Sequence, residues 1–128
     1  MSVAGLLVRC RGQLAFIPAN VARYVRYDVV VTPFPGTDLS MALLAGRVVP
    51  VISLGPNQRA LVVCDIEGET IAVSGLEPLK SGIFEGDEQG PIESDTVIPI
   101  LPIHEYVEKS RGQRQPFASS FEEDSWLS

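Results

Sequence analysis

Histidine and cysteine, on which most metal sites and many nucleophilic catalysts depend, are nearly absent from this chain. The 128 residues include one histidine, His104, and two cysteines, Cys10 and Cys64, which lie in separate apolar runs. There is no Cys-x-x-Cys pair and no Gly-x-Ser-x-Gly turn. A zinc site needs several nitrogen or sulfur ligands at recognisable spacing, and a catalytic serine or cysteine needs a neighbouring base. The sequence therefore argues against a metal site and a catalytic triad, and it predicts a partly exposed His104 and free, buried thiols.

Basic residues are also scarce. Lysine and arginine together number 10 against 16 aspartates and glutamates, which gives a net charge of -6 at pH 7. This balance argues against nucleic-acid binding, because a phosphate backbone is bound by clustered basic side chains. Glycine-rich phosphate-binding loops are absent as well, so no nucleotide or other cofactor is expected. Glu67 and Glu69 flank a predicted turn, and the carboxylates at 85–88 lie in a predicted flexible loop; neither group has the spacing of a calcium loop.

Long hydrophobic runs are missing too. No apolar run approaches the ~20 residues of a membrane-spanning helix, and the opening MSVAGLLVRCRG lacks the features of a signal peptide. We therefore expect a cytoplasmic protein without direct membrane insertion. The chain does have material for a core, since 45% of its residues are hydrophobic. We expect one domain over residues 1–110 and a flexible acidic tail over residues 111–128.

The apolar residues fall into short β-type runs separated by turn residues. Residues 6–10 and 14–17 flank a turn at Gly12, and residues 59–65 and 70–74 flank a turn at Gly68. Both patterns are typical of β-hairpins, because glycine accepts the positive φ of a tight turn.

Residues 25–55, VRYDVVVTPFPGTDLSMALLAGRVVPVISLG, have the most distinctive order of strand and turn residues. Strands are predicted over 29–32 and 47–53. Pro50 lies within the second strand and cannot donate a hydrogen bond, which predicts an edge, a bulge or a bend there. Residues 21–25 are predicted to form about one helical turn.

The C-terminal part is predicted from breakers and spacing. Residues 76–80 are interpreted as a short link, and the glycine-rich acidic segment 82–91 as a mobile, solvated loop. A last strand is expected over 96–100. Pro102 then begins a helix that runs to about Lys109 and packs on the strands.

This order of elements resembles the CheW-like domain of bacterial chemotaxis coupling proteins. The resemblance is carried by the opening LLV and AFIP runs, VTPFPG at 31–36, GRVVPVISL at 46–54 and IPILP at 98–102. It implies a mainly β fold of two small five-stranded barrels side by side, with a short helix between early strands and a C-terminal helix. It also implies a non-enzymatic adaptor that binds the regulatory domain of a CheA-type histidine kinase. A chemoreceptor or another CheW-like protein would be a further partner.

One block departs from the family pattern. The family carries Asn-Leu-Arg-Gly before its VVPV strand, where this chain has Leu43-Leu44-Ala45-Gly46. The family's arginine is tied to receptor and barrel-junction contacts, so the resemblance implies a divergent adaptor and puts ordinary receptor coupling in question. The replacement leaves open a second function, a small-ligand sensor with an enlarged apolar pocket between the barrels.

Protein binding requires exposed aromatic or apolar side chains near an arginine or a strand edge. The RYVRY segment at 23–27 meets this requirement, although tyrosines that only cover the barrel would give the same pattern. Phe34 is either a loop anchor for a partner or a plug for the barrel end. The only tryptophan follows an acidic run, as in a docking peptide or a solvated chain end. The candidate partner-binding residues are Val21, Tyr24, Val25, Arg26, Tyr27, Val29, Phe34, Arg47 and Trp126.

Overall fold

The computed structural model describes residues 1–36 and 39–110. The predictions for the 111–128 tail and for Trp126 therefore lie outside the described residues. The strands are β1 (Ser2–Cys10), β2 (Gln13–Pro18), β3 (Ala22–Tyr27), β4 (Val31–Pro33), β5 (Ser40–Leu44), β6 (Arg47–Ser53), β7 (Ala60–Ile66), β8 (Glu69–Ser74), β9 (Leu76–Asp87), β10 (Gly90–Glu93) and β11 (Thr96–Val97). Helix α1 follows over residues 103–110.

The strands form two curled sheets. One sheet has five strands in the order β11-β10-β9-β1-β2, and the other has six in the order β3-β7-β8-β6-β5-β4. The β6–β8 pair is parallel and the other neighbours are antiparallel. The predicted mainly β fold with a C-terminal helix is confirmed, as are the hairpins β1–β2 and β7–β8. The second sheet has six strands where five were expected.

The five-stranded sheet is curled until its ends meet. Phe16 in β2 donates its backbone N–H to the oxygen of Pro99 at 2.9 Å, and Leu101 donates to the Phe16 oxygen at 2.8 Å. The chain after β11 thus covers the outer edge of β2. Inside this sheet, the Phe16 and Phe84 rings meet edge to face with centroids 5.6 Å apart. A side chain at Gly5 would overlap the Phe16 ring, so glycine is needed there.

The core consists of two apolar clusters, one on each face of the six-stranded sheet. Strands β7 and β8 are buried on both faces, so their residues alternate between two apolar clusters. The larger cluster joins both sheets to α1, and the smaller lies on the other face of the six-stranded sheet. Within α1, Ile103 and Val107 are one turn apart and buried, which explains why the helix packs there.

Gly75 is the single residue between β8 in one sheet and β9 in the other. Its φ is +88°, and its N–H donates to the Asn57 oxygen at 2.7 Å. A Cβ atom on Gly75 would overlap the backbone nitrogen of Gly55 and would lie 2.7 Å from the Gly55 Cα. The chain can therefore pass between the sheets here only because two glycine backbones touch.

The predicted helical turn at residues 21–25 is wrong. These residues enter β3, which pairs with β7 from Ala22 opposite Cys64 to Tyr27 opposite Ala60. A single turn of helix has few hydrogen bonds of its own, so pairing with a buried strand prevails.

The predicted link at 76–80 and loop at 82–91 are also wrong. They form the 12-residue strand β9 and the start of β10. Strand β9 pairs with β1 from Cys10 opposite Leu76 to Ser2 opposite Glu85. A long partner strand thus supplies hydrogen bonds that the glycine-rich composition did not reveal.

The strand containing Pro50 is not at an edge. Strand β6 lies between β5 and β8, and Pro50 is opposite Met41 of β5. Pairing of β6 with β8 begins only at Val51, one residue later. Proline is tolerated in this interior strand because the ladder on one side starts after it.

Candidate binding groove

A groove of about 590 Å³ lies between the two sheets. Strand β3 forms one wall, and β1 and β9 form the other. Because β3 ends the order of the six-stranded sheet, it is hydrogen-bonded to a single described strand, β7. The residues lining the groove are Ala4, Gly5, Leu6, Ala19, Ala22, Arg23, Tyr24, Val25, Tyr27, Pro78, Leu79, Lys80, Ser81, Gly82 and Ile83.

Apolar and aromatic side chains dominate this lining and reach solvent. Tyr27 is 61% exposed and Ile83 is 76% exposed, values that are high for side chains of this size. Tyr24 and Leu79 are each more than a third exposed. Large apolar side chains grouped in a concave site favour contact with another molecule over contact with water.

The charged side chains that line the groove are both basic, Arg23 and Lys80, and no carboxylate lines it. Neither forms an ion pair with another described residue. Arg9 and Glu77, which do not line the groove, form an ion pair at 3.2 Å. The Lys80 ammonium lies 5.9 Å from the centre of the Phe84 ring. The groove therefore has a positive, aromatic character on a protein that is acidic as a whole.

The structure brings part of the predicted RYVRY site together. Tyr24, Val25 and Tyr27 line the groove. The Arg26 guanidinium stacks on the Tyr24 ring, 4.9 Å from its centre, which holds both side chains beside the groove. Val21 is half-buried and packs on the larger core cluster, as does Val25.

The other predicted residues lie elsewhere. Val29 packs against the smaller core cluster. Phe34 follows β4 and is 45% exposed, whereas Arg47 begins β6, so the two lie near opposite ends of β5. Neither lines the groove. Trp126 lies outside the described residues.

Sequence reasoning did not find the contribution of β9 to this site. The sequence predicts a short link at Lys80 and, because Gly82 and Gly86 flank it, a loop at Ile83. The adjacent apolar pair Ile83-Phe84 was the one local indication of a strand there. Gly82 lies opposite Gly5 in the β1–β9 ladder.

The divergent block at residues 43–46 is remote from the groove. Leu43 is exposed, Leu44 is buried in the smaller cluster, and Ala45 and Gly46 form the β5–β6 turn. Leu43 is opposite Val48, and each is 67% exposed. These residues do not enlarge the pocket between the sheets; they form an apolar pair on the outer face of the second sheet.

The two thiols are free, as predicted. Cys64 is fully buried, and burial raises its pKa to about 12. Cys10 is only half-buried, so its predicted burial is partial. His104 is exposed on α1. Across residues 1–36 and 39–110, no three His, Cys, Asp or Glu side chains group as metal ligands, and no helix there could cross a membrane.

No family model and no curated protein matches this sequence. In structure, the chain is similar to the scaffolding protein TtCheW from Thermoanaerobacter tengcongensis, with a TM-score of 0.65 and 15% sequence identity. The similarity covers 83% of this chain and 88% of that chain. The chain therefore has a CheW-like fold, as its sequence resemblance implied.

Proposed function

We propose that this chain, with its CheW-like fold, is a cytoplasmic, non-enzymatic adaptor in a chemotaxis-type signalling system. It binds the regulatory domain of a CheA-type histidine kinase through the groove beside β3. One observation carries the proposal. Exposed Tyr24 and Tyr27 of the edge strand β3 and exposed Ile83 of β9 line the same groove between the two sheets.

The binding energy would come from two sources. Tyrosine and isoleucine side chains that lose their exposure are effective anchors, because each removes a large apolar area from water. In addition, β3 pairs with β7 alone among the described strands, so an extended segment of the partner can add to its other side. The adaptor then acts by holding the kinase in place and makes or breaks no bond.

The test is binding of the full chain to the regulatory domain of a CheA-type kinase from the same cell, measured by titration calorimetry. Tyr27→Ala and Ile83→Ser should each weaken binding about 10- to 30-fold, the loss typical of a central anchor. The matched control is Leu43→Ser, because Leu43 has an exposure between those of Tyr27 and Ile83 but lies on the outer face of the six-stranded sheet. Unchanged affinity in both groove variants, with the fold intact, would refute the proposed face.

A small-ligand sensor is the second candidate function. The groove volume of about 590 Å³ lies within the range of about 300–1,000 Å³ that is usual for ligand pockets. A ligand that binds the folded state must raise its melting temperature. Stabilisation by a small apolar compound, in a protein that ignores the kinase domain, would favour this function over the adaptor.

A further inference from the structure

We infer that the acidic, aromatic segment at residues 115–128 binds in the groove beside β3 of its own molecule. The segment then occupies the groove until a stronger ligand displaces it. Occupancy of the groove does not depend on the proposed adaptor function; only its regulatory consequence rests on that function.

The groove carries the charge that such a segment requires. Its charged lining residues, Arg23 and Lys80, are basic, and neither is paired with a carboxylate of residues 1–36 or 39–110. The chain has 16 acidic and 10 basic residues, so a groove lined by two basic residues and no acidic one has a charge opposite in sign to that of the whole protein. An acidic ligand would find little like charge in this groove to repel it.

The segment has the complementary chemistry. Its sequence is QPFASSFEEDSWLS, in which every charged residue is acidic. The acids stand between aromatic residues, Phe121 on one side and Trp126 on the other. Carboxylates can meet Arg23 and Lys80 while an aromatic ring packs on Tyr27 and the exposed Ile83. The segment therefore matches the groove in both charge and apolar surface.

The chain length allows this contact within one molecule. Residues 111–128 follow α1 directly and can span up to about 60 Å when extended. A domain of ~100 residues has a radius of gyration of about 13 Å, so every surface of the fold is within reach. A tethered segment has an effective concentration of about 1 mM. A segment with an intrinsic Kd of about 100 µM would therefore occupy the groove about 90% of the time.

Under the proposed function, the segment competes with the kinase for the same surface. The apparent affinity for the partner is then reduced by the fraction of molecules whose groove is already filled. Removal of the aromatic anchors from the segment should tighten partner binding without touching the groove itself.

The experiment uses the fluorescence of Trp126, the only tryptophan of the full chain. Without any partner, its emission should lie at shorter wavelength and be quenched less by acrylamide than that of a synthetic peptide of residues 115–128. Raising the salt from about 0.1 M to about 1 M shortens the Debye length from about 10 Å to about 3 Å and should reverse part of the shift. Emission equal to that of the free peptide would overturn the inference.

Variants identify the surface. Lys80→Glu should move the emission toward that of the peptide, whereas Arg47→Glu, an equally large charge change at an exposed residue outside the groove, should not. Equal effects of the two variants would overturn the inference. So would a shift that is lost on dilution from about 100 µM to about 1 µM, since the segment would then be binding a second copy. Kinase binding is measured separately, so failure here and failure of the adaptor function are distinguishable.

Discussion

Replacing Gly75 with alanine should strongly destabilise this protein, because Gly75 is where the chain crosses from one sheet to the other. The residue has a φ of +88°, and a Cβ atom there would overlap the backbone of Gly55. The obstacle is main chain, so no side-chain rotation can relieve it. The adjacent hydrogen bonds, from Gly75 to Asn57 at 2.7 Å and from Leu54 to Ser74 at 2.9 Å, hold the two segments together.

The magnitude follows from two separate costs. A non-glycine residue at this φ costs about 1–2 kcal/mol. Forcing an extra carbon into a packed site costs about 1–3 kcal/mol more, and backbone contact places Gly75 at the upper end. We therefore expect a loss of about 4 kcal/mol in the free energy of unfolding. At about 4 °C per kcal/mol, the melting temperature should fall by about 15 °C.

The control separates the two costs. Gly68, in the β7–β8 turn, has a φ of +82° but no neighbouring atom within 4 Å of its virtual Cβ. Gly68→Ala should therefore lose only the backbone part, about 1–2 kcal/mol. Urea unfolding followed by circular dichroism measures both variants. Equal losses of unfolding free energy in the two variants would show that the Gly55 backbone does not obstruct a side chain at Gly75.

Three further predictions concern stability and can be measured by the same unfolding assay. Burial raises the pKa of Cys64 from 9.0 to about 12, so the folded state resists thiolate formation. The contribution of this thiol to the free energy of unfolding is complete below pH 9. It falls as the pH rises toward 12, by at most about 1.4 kcal/mol per pH unit. Cys64→Ala should remove this pH dependence. The Ser74 hydroxyl is buried without a hydrogen-bond partner among the described residues, so Ser74→Ala should leave stability unchanged or raise it by up to about 1 kcal/mol, and a clear loss would contradict this. Leu43→Ser and Val48→Thr alter 67% exposed side chains and should each change stability by less than about 0.5 kcal/mol; a larger loss would contradict this exposure.

The candidate site was half predictable. The tyrosines of β3 stand beside arginines in sequence, which made them candidates for a binding surface, although tyrosines that cover the barrel would give the same pattern. The structure shows that both tyrosines are exposed. Lys80 and Ile83 could not, because Lys80 lies in a predicted link and the glycines on either side of Ile83 are typical of a loop. Both residues instead lie in the long strand β9, which forms because it pairs with β1, more than 70 residues away from them in sequence.

The sequence by itself determined the features that depend on residues close together in the chain, namely the two hairpin turns, the β7 strand and the C-terminal helix. The β1–β2 and β7–β8 turns place Arg11-Gly12 and Glu67-Gly68 at positive φ, a local requirement that these residue pairs satisfy. The apolar run of β7 and the spacing of Ile103 and Val107 likewise predicted a strand and a packed helix.

Beyond the β1–β2 and β7–β8 hairpins, only the tertiary structure decided which strands are neighbours. Residues 21–25 became a strand because β7 supplied its hydrogen bonds, and β6 could be interior with Pro50 because its ladder to β8 begins at Val51. The groove arises in the same way, since its walls come from strands of different sheets. Outside the two hairpins, strand pairing joins residues that are distant in sequence, and there no local pattern specifies the partner.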